Sequence, residues 1–114
     1  MKLNKIILSF ISAFVLLLST SVTSFAKVVG DKIILGSAIS LTGKCSSNGV
    51  HTQNGYNMAV DRINSMGGVK VGGKTYKFEI IYYDDESNPK RAAQLAERLI
   101  SQDGVEFMLG PYSS

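Results

Sequence analysis

The segment from Ile33 to Met66 constrains the fold most, because it predicts a buried strand, a polar loop and a helix in succession. The run from Ile33 to Ile39 is mostly apolar and shows no alternation, which is typical of a strand covered on both faces of a parallel sheet. Residues 41–49 contain turn residues and N-cap candidates for a helix that continues to Met66. In open α/β sheets such a loop lies at the carboxyl end of a strand, where ligands bind.

The rest of the chain predicts the order β-α-β-α-β. Residues 76–83 form the second strand, Asn88 and Pro89 begin a helix that runs to Ser101, and residues 105–109 form the third strand. Gly67-Gly68 end the first helix and precede a short hairpin-like excursion over residues 69–74.

The connections predict an α/β fold with a doubly wound, mainly parallel sheet. Crossovers between parallel strands are right-handed. If the two helices cover opposite faces of the sheet, the second strand lies on one side of the first strand and the third strand on the other, which is the order 2-1-3. The switch point then lies between strands one and three, and residues 41–49 and 110–114 should line one cleft.

Apolar residues at three- and four-residue spacing predict the helix faces that pack on this sheet. In the first helix they are Tyr56, Ala59, Ile63 and Met66, with Met58 beside them, and in the second Ala92, Leu95, Ala96, Leu99 and Ile100.

The first 26 residues predict a signal peptide. Lys2 and Lys5 precede the apolar run from Ile6 to Leu18, and Ser24-Phe25-Ala26 fits a signal-peptidase site with cleavage after the alanine. The apolar run is shorter than the roughly 20 residues that a membrane span needs. The mature chain, residues 27–114, is therefore expected to be exported to the periplasm or another extracytoplasmic space.

The charge pattern argues against a nucleic-acid-binding protein, and the cysteine content argues against a disulfide-stabilised one. The sequence carries 12 basic and nine acidic residues, and two lysines lie in the signal peptide, which leaves a net charge of +1. The charges are interspersed, so we expect no nucleic-acid partner. Cys45 is the only cysteine, so no internal disulfide can form and stability must come from packing.

Nucleotide and metal motifs are absent from the sequence. Gly43-Lys44 would need a glycine at Ala38 and a hydroxyl at Cys45 to form a phosphate loop, and no G-x-G-x-x-G follows the first strand. His51 is the only histidine and has no second histidine or cysteine pair with which to bind a metal. We therefore expect no cofactor and no metal.

Two polar clusters remain as candidate sites. Asp84-Asp85-Glu86 could form a metal site or an acid/base pair, but adjacent residues at a strand end point in different directions, and carboxylates before a helix favour its dipole. A structural role is favoured for them. Tyr112-Ser113-Ser114 lies at the predicted switch point and would lead into a helix N-terminus, which favours an anion such as a carboxylate. An ordinary helix cap is the alternative.

Together these motifs resemble the type I periplasmic solute-binding proteins, specifically the branched-chain amino acid receptors of ABC importers. The motifs are, in order, Leu41-Thr42-Gly43, Asn54-Gly55 through Ala59-Val60, Ile63-Asn64, Gly67-Gly68, Tyr83-Asp84-Asp85, Asn88-Pro89-Lys90 and Gly110 with Ser113-Ser114. The resemblance implies two α/β lobes closing over one small ligand, and a membrane permease as partner. Residues 27–114 would form the incomplete N-terminal lobe, so we expect the chain to be a fragment.

The resemblance also implies the site residues. Tyr112, Ser113 and Ser114 match the stretch that holds the ligand's α-carboxylate, and Asn48 matches a position near the ligand's side chain. Many relatives have an aromatic residue at the position of Asn48, which leaves amides or other polar solutes open as ligands. Some relatives carry a disulfide at the positions of Ser87 and Ser113, which are both serine here.

Three functions stay open at this level: an importer's solute receptor, the sensing module of a signalling receptor, and an exported hydrolase. The hydrolase would use Ser113 or Ser114 and would need a histidine from elsewhere, and the motif G-x-S-x-G is not present. We favour the importer receptor, with no enzymatic activity. Residues 27–114 alone are expected neither to fold cooperatively nor to bind tightly, because half of the cleft and several strands are missing.

Overall fold

A parallel pair of long strands forms the centre of the structure, a computed structural model that describes residues 26–112. Ser113, Ser114 and all of the predicted signal peptide except Ala26 lie outside the described residues. The elements are β1 (Val28–Val29), β2 (Lys32–Ile39), α1 (Ser46–Ser65), β3 (Val69–Val71), β4 (Lys74–Asp84), α2 (Pro89–Ser101) and β5 (Phe107–Met108).

Strand β2 lies between β4 and β5 and is parallel to both. It pairs with β4 along its whole length, from Lys32 opposite Lys77 to Ile39 opposite Asp84. On its other edge Leu35 and Gly36 pair with β5, and β1 covers the beginning of β2 in an antiparallel arrangement. The order β4-β2-β5 confirms the predicted 2-1-3 sheet. The third strand is shorter than predicted, because only two residues pair with β2.

The predicted hairpin is also present. Strand β3 pairs antiparallel with β4, with Val71 opposite Lys74. Gly72 and Gly73 form the turn with φ angles of 57° and 81°, and positive values at both central positions are those of a type I′ hairpin turn.

The two helices cover opposite faces of the sheet, as the doubly wound topology predicts. On one face Ile34 and Ala38 of β2 form a core with Leu99 of α2 and with Val105. Side chains alternate along a strand, so Ile33 and Ile39 point to the face covered by α1. On that face the Tyr82 hydroxyl donates to the Asn57 side chain of α1 at 2.8 Å.

The predicted apolar face of α1 is partly wrong. Met58 is 72% exposed and Met66, which caps the helix, is 67% exposed. Ala59 is exposed as well. The buried and half-buried positions of the helix are Ser46, Gly49, Thr52, Gln53, Tyr56, Val60, Ile63 and Asn64. In α2 the predicted stripe is confirmed except for Ile100, which is 57% exposed.

A close contact at Gly49 explains the orientation of α1. A Cβ atom at Gly49 would lie 1.7 Å from the Ser40 carbonyl oxygen. The backbone of the first helical turn therefore packs directly against the backbone that follows β2, with no side chain between them. The N-cap is Cys45, whose side chain makes no capping hydrogen bond. The backbone contact therefore fixes the rotation of the helix, and the face that this rotation turns inward carries Tyr56, Val60 and Ile63 beside polar side chains.

Asp84, the last residue of β4, holds the loop that leads into α1. Its Oδ1 accepts hydrogen bonds from the amides of Leu41 at 2.9 Å, Thr42 at 3.2 Å and Glu86 at 2.9 Å, and its Oδ2 accepts from the Thr42 hydroxyl at 2.7 Å. Burial raises the pKa of Asp84, but the four hydrogen bonds together outweigh burial, first among them that of the Thr42 hydroxyl, and leave the pKa lowered.

Gly49→Ala is expected to lower the unfolding free energy of the complete protein that contains this chain by about 3 kcal/mol or more, because the new methyl group overlaps a backbone carbonyl. Gly55→Ala in the same helix is the matched control, since a Cβ there meets nothing within 4 Å. It is expected to raise stability by about 0.5–1 kcal/mol. Urea denaturation measures both values, and equal effects would contradict the contact.

Asp84→Asn is expected to lower the unfolding free energy by about 1–2 kcal/mol at neutral pH. Because the folded-state pKa of Asp84 is lowered, its contribution is present above the unfolded pKa and is lost as the pH falls through the folded pKa. The two stability curves should therefore be separated at neutral pH and converge below about pH 4. Thr42→Val should reproduce part of this effect, and parallel curves down to low pH would contradict it.

Candidate ligand-binding site

Three loops meet at the carboxyl end of the sheet and form the candidate site. They follow β2, β4 and β5 and comprise residues 40–45, 85–88 and 109–112. The first and last are the loops that sequence reasoning placed at the switch point. The structure therefore brings the two predicted cleft-lining segments to the same edge, with the β4 loop beside them.

Asn48 and Tyr112, two of the four predicted site residues, lie in contact. Asn48 is in the first turn of α1, and its Nδ2 donates to the Tyr112 hydroxyl at 2.8 Å. Both side chains are exposed. The other two predicted residues, Ser113 and Ser114, lie outside the described residues. The assignment of all four residues to a ligand-binding site therefore stays a prediction.

Residues 109–112, which we call the Tyr112 loop, are held by three elements. The Leu109 amide donates to the Gly36 carbonyl of β2 at 2.8 Å, and the Tyr56 hydroxyl of α1 donates to the Gly110 carbonyl at 3.1 Å. The Ser40 hydroxyl lies 3.3 Å from the Tyr112 carbonyl oxygen. Together with the Asn48 contact, these bonds place Tyr112 over the first turn of α1.

Ser40 is a contact point that sequence reasoning missed. It follows β2 directly and is fully buried, and its hydroxyl donates to Asp85 Oδ1 at 2.6 Å. The sequence contained a signal for this contact. Ser40 directly follows β2 and Asp85 directly follows β4, and these two strands were predicted to be parallel neighbours. The register that places Ile39 opposite Asp84 brings these two residues together one step later.

The loop after β4 also holds the loop after β2 through Ser87. The Ser87 hydroxyl accepts from the Cys45 amide at 3.0 Å and donates to the Thr42 carbonyl at 2.7 Å. Glu86 and Ser87 both have left-handed φ angles, of 55° and 61°, which cost energy in residues other than glycine. Ser87 is the position at which the resemblance implies a cysteine in some relatives, and here its hydroxyl joins the two loops by hydrogen bonds.

The three carboxylates of residues 84–86 diverge, and their predicted structural role is confirmed. Asp84 points to the β2 loop, Asp85 is buried, and Glu86 forms an exposed ion pair with Arg91 at 3.4 Å. They act on loop amides and not on the dipole of α2, whose first turn contains no acidic residue and whose N-cap is Asn88. Within residues 26–112 no three His, Cys, Asp or Glu side chains are grouped so that they could hold a metal ion.

The His51 and Cys45 side chains make none of the loop contacts described above. His51 is exposed, and the Cys45 thiol is free and half-buried. In the part of the chain that the structure describes, no helix has the length and apolar character needed to cross a membrane.

Comparison with known proteins shows to which family this chain is similar. The sequence profile of a family described as "Periplasmic binding protein" matches residues 32–114. The Leu/Ile/Val-binding protein BraC3 of Rhizobium johnstonii is 34% identical over 91 residues, which are 80% of this chain and 23% of that protein. A leucine-, isoleucine-, valine-, threonine- and alanine-binding protein of Pseudomonas aeruginosa is 32% identical over 83 residues, covering 73% of this chain and 21% of the relative.

Solved structures agree with these relatives. The substrate-binding protein LivJ of Streptococcus pneumoniae, a branched-chain amino acid transporter component solved in complex with isoleucine, superimposes with a TM-score of 0.64 at 31% identity. The match covers 73% of this chain and 23% of LivJ. The chain thus spans about a quarter of the length of the proteins it matches. On the family match over residues 32–114, the chain belongs to the periplasmic binding protein family.

Proposed function

We propose that this chain is the opening part of the N-terminal lobe of an exported solute receptor, which binds an amino acid of the branched-chain type and delivers it to the permease of an ABC importer. The observation that carries the proposal is the meeting of the loops after β2 and β5 at the carboxyl end of the sheet, where Asn48 contacts Tyr112. The names of the relatives support the ligand class, since BraC3 is a Leu/Ile/Val-binding protein and LivJ was solved with isoleucine.

The geometry suggests how one side of such a ligand is held. The Tyr112 loop ends next to the first turn of α1, where backbone amides at a helix N-terminus favour a negative charge. In our proposal Tyr112, Ser113 and Ser114 hold the α-carboxylate through backbone amides and hydroxyl groups, and Asn48 faces the ligand's side chain. A second lobe then closes over the ligand from the opposite side.

Isothermal titration calorimetry on the complete protein tests this proposal. We expect binding of leucine, isoleucine or valine, and we expect Ser114→Ala to weaken it about tenfold or more through loss of a hydrogen bond to a charged group. Ser101→Ala is the matched control, because Ser101 ends α2 and its hydroxyl donates to the Glu97 carbonyl. The control should bind like the wild type, and a lack of heat with every amino acid would contradict the proposal.

The chemistry of the Asn48 pair favours a second candidate, a receptor for an amide or urea-type solute. Because Asn48 Nδ2 donates to the Tyr112 hydroxyl, that hydroxyl keeps its proton for another acceptor. The Asn48 Oδ1 makes no hydrogen bond with residues 26–112. One donor and one acceptor therefore lie side by side, an arrangement that complements a carboxamide and leaves polar groups unpaired against an aliphatic side chain.

Exchanging the side chain at position 48 distinguishes the two ligand classes. For a polar ligand, Asn48→Phe should weaken the binding of asparagine, glutamine or urea about tenfold or more, and should improve the binding of leucine, because the unpaired amide is replaced by an apolar ring. Tyr112→Phe is the companion variant, since it removes only the hydroxyl. Competition titrations give the ratio of affinities, and an unchanged ratio in Asn48→Phe would contradict the polar assignment.

A further inference from the structure

The buried pair of Ser40 and Asp85 has no role in the ligand contacts described above. Asp85 is 1% exposed and Ser40 is fully buried, and their side chains meet in a 2.6 Å hydrogen bond. We propose that Asp85, acting through Ser40, is the positioning residue of the Tyr112 loop. Its effect on ligand affinity rests on the proposed function, whereas its effect on the loop itself does not.

Parallel pairing brings Ser40 and Asp85 together. The Asp85 amide donates to the Ile39 carbonyl at 3.0 Å, which extends the pairing of β2 and β4 by one residue. The Ser87 amide then donates to Asp85 Oδ1 at 2.8 Å. The carboxylate is thus fixed by its own strand and by its own loop before it contacts Ser40.

The single proton of the Ser40 hydroxyl links Asp85 to the Tyr112 loop. Two acceptors surround this hydroxyl, Asp85 Oδ1 at 2.6 Å and the Tyr112 carbonyl oxygen at 3.3 Å. The shorter bond, to a carboxylate oxygen, fixes the rotamer of Ser40. In that rotamer the hydroxyl lies within hydrogen-bond distance of the Tyr112 carbonyl. Removal of the Ser40 side chain takes this contact away, and removal of the Asp85 side chain frees the rotamer that makes it.

Ser40 supplies one of the two hydrogen bonds that the buried carboxylate of Asp85 accepts from the described residues. The Asp85 Oδ2 is buried and has no hydrogen-bond partner within residues 26–112, so Ser40 and the Ser87 amide are the groups that satisfy the carboxylate. Burial of an incompletely satisfied carboxylate is costly. The other polar side chains that hold the Tyr112 loop, Asn48 and Tyr56, make their bonds at the exposed surface.

Ser37 provides a matched control within the same strand. It is fully buried like Ser40, but its hydroxyl has no hydrogen-bond partner among the described residues. Ser37→Ala and Ser40→Ala therefore remove the same atoms at equal burial. A difference between the two variants reports the hydrogen bonds of Ser40 and not the loss of a buried hydroxyl as such.

Hydrogen-exchange mass spectrometry on the ligand-free complete protein tests the proposal. We expect Ser40→Ala and Asp85→Ala each to accelerate amide exchange in residues 105–112 about tenfold, with exchange in α2 unchanged. Asp85→Asn, which keeps an oxygen acceptor for Ser40, should restore most of the protection. Ser37→Ala should behave like the wild type. Equal exchange in the Ser37 and Ser40 variants, or no rescue by Asp85→Asn, would overturn the proposal.

Ligand titration then separates this proposal from the proposed function. If the wild type binds an amino acid, Ser40→Ala and Asp85→Ala should each weaken binding about tenfold, and the double variant should be no weaker than the worse single variant, since both act through one contact. Additive losses would count against the coupling. If the wild type binds no solute while the exchange differences remain, the proposed function fails and the positioning role stands.

Discussion

The parallel pairing of β2 with β4 is the constraint on which the rest of the structure depends. It runs in one register from Lys32 opposite Lys77 to Ile39 opposite Asp84, so both strands end at the same level. The residues that follow are therefore neighbours, and the carboxylates of Asp84 and Asp85 meet the loop after β2. A shift of one residue would turn these side chains to the wrong face.

The acidic cluster after β4 serves the loops around it. Asp84 accepts hydrogen bonds from residues 41 and 42, Asp85 binds Ser40, and Ser87 bridges Thr42 and Cys45. One short loop thus fixes the conformation of its neighbour, at the cost of two left-handed residues at 86 and 87. Such strain persists where the surrounding bonds determine the backbone conformation. The hydrogen bonds of Ser87 hold the loop that leads into α1 without a disulfide.

The same loops explain why a weak sequence pattern was misleading in α1. Met58 and the C-cap residue Met66 extend the apolar stripe predicted for this helix, yet both are largely exposed. Contact between Gly49 and the Ser40 carbonyl allows only one rotation of the first turn, and the remaining turns follow from it. In α2, which contains no glycine, four of the five residues of the predicted stripe are buried or half-buried.

The sequence by itself determined the strand order, the opposite placement of the helices, the glycine hairpin and the meeting of the two cleft loops, because apolar periodicity and right-handed crossovers are local or topological rules. Only the tertiary structure decided the rotation of α1, the buried pair of Ser40 and Asp85, and the bond between Asn48 and Tyr112. The rotation of α1 depends on a backbone contact between Ser40 and Gly49, and the two pairs depend on contacts between residues 45 and 64 positions apart. Such distances are set by packing, which no local pattern encodes.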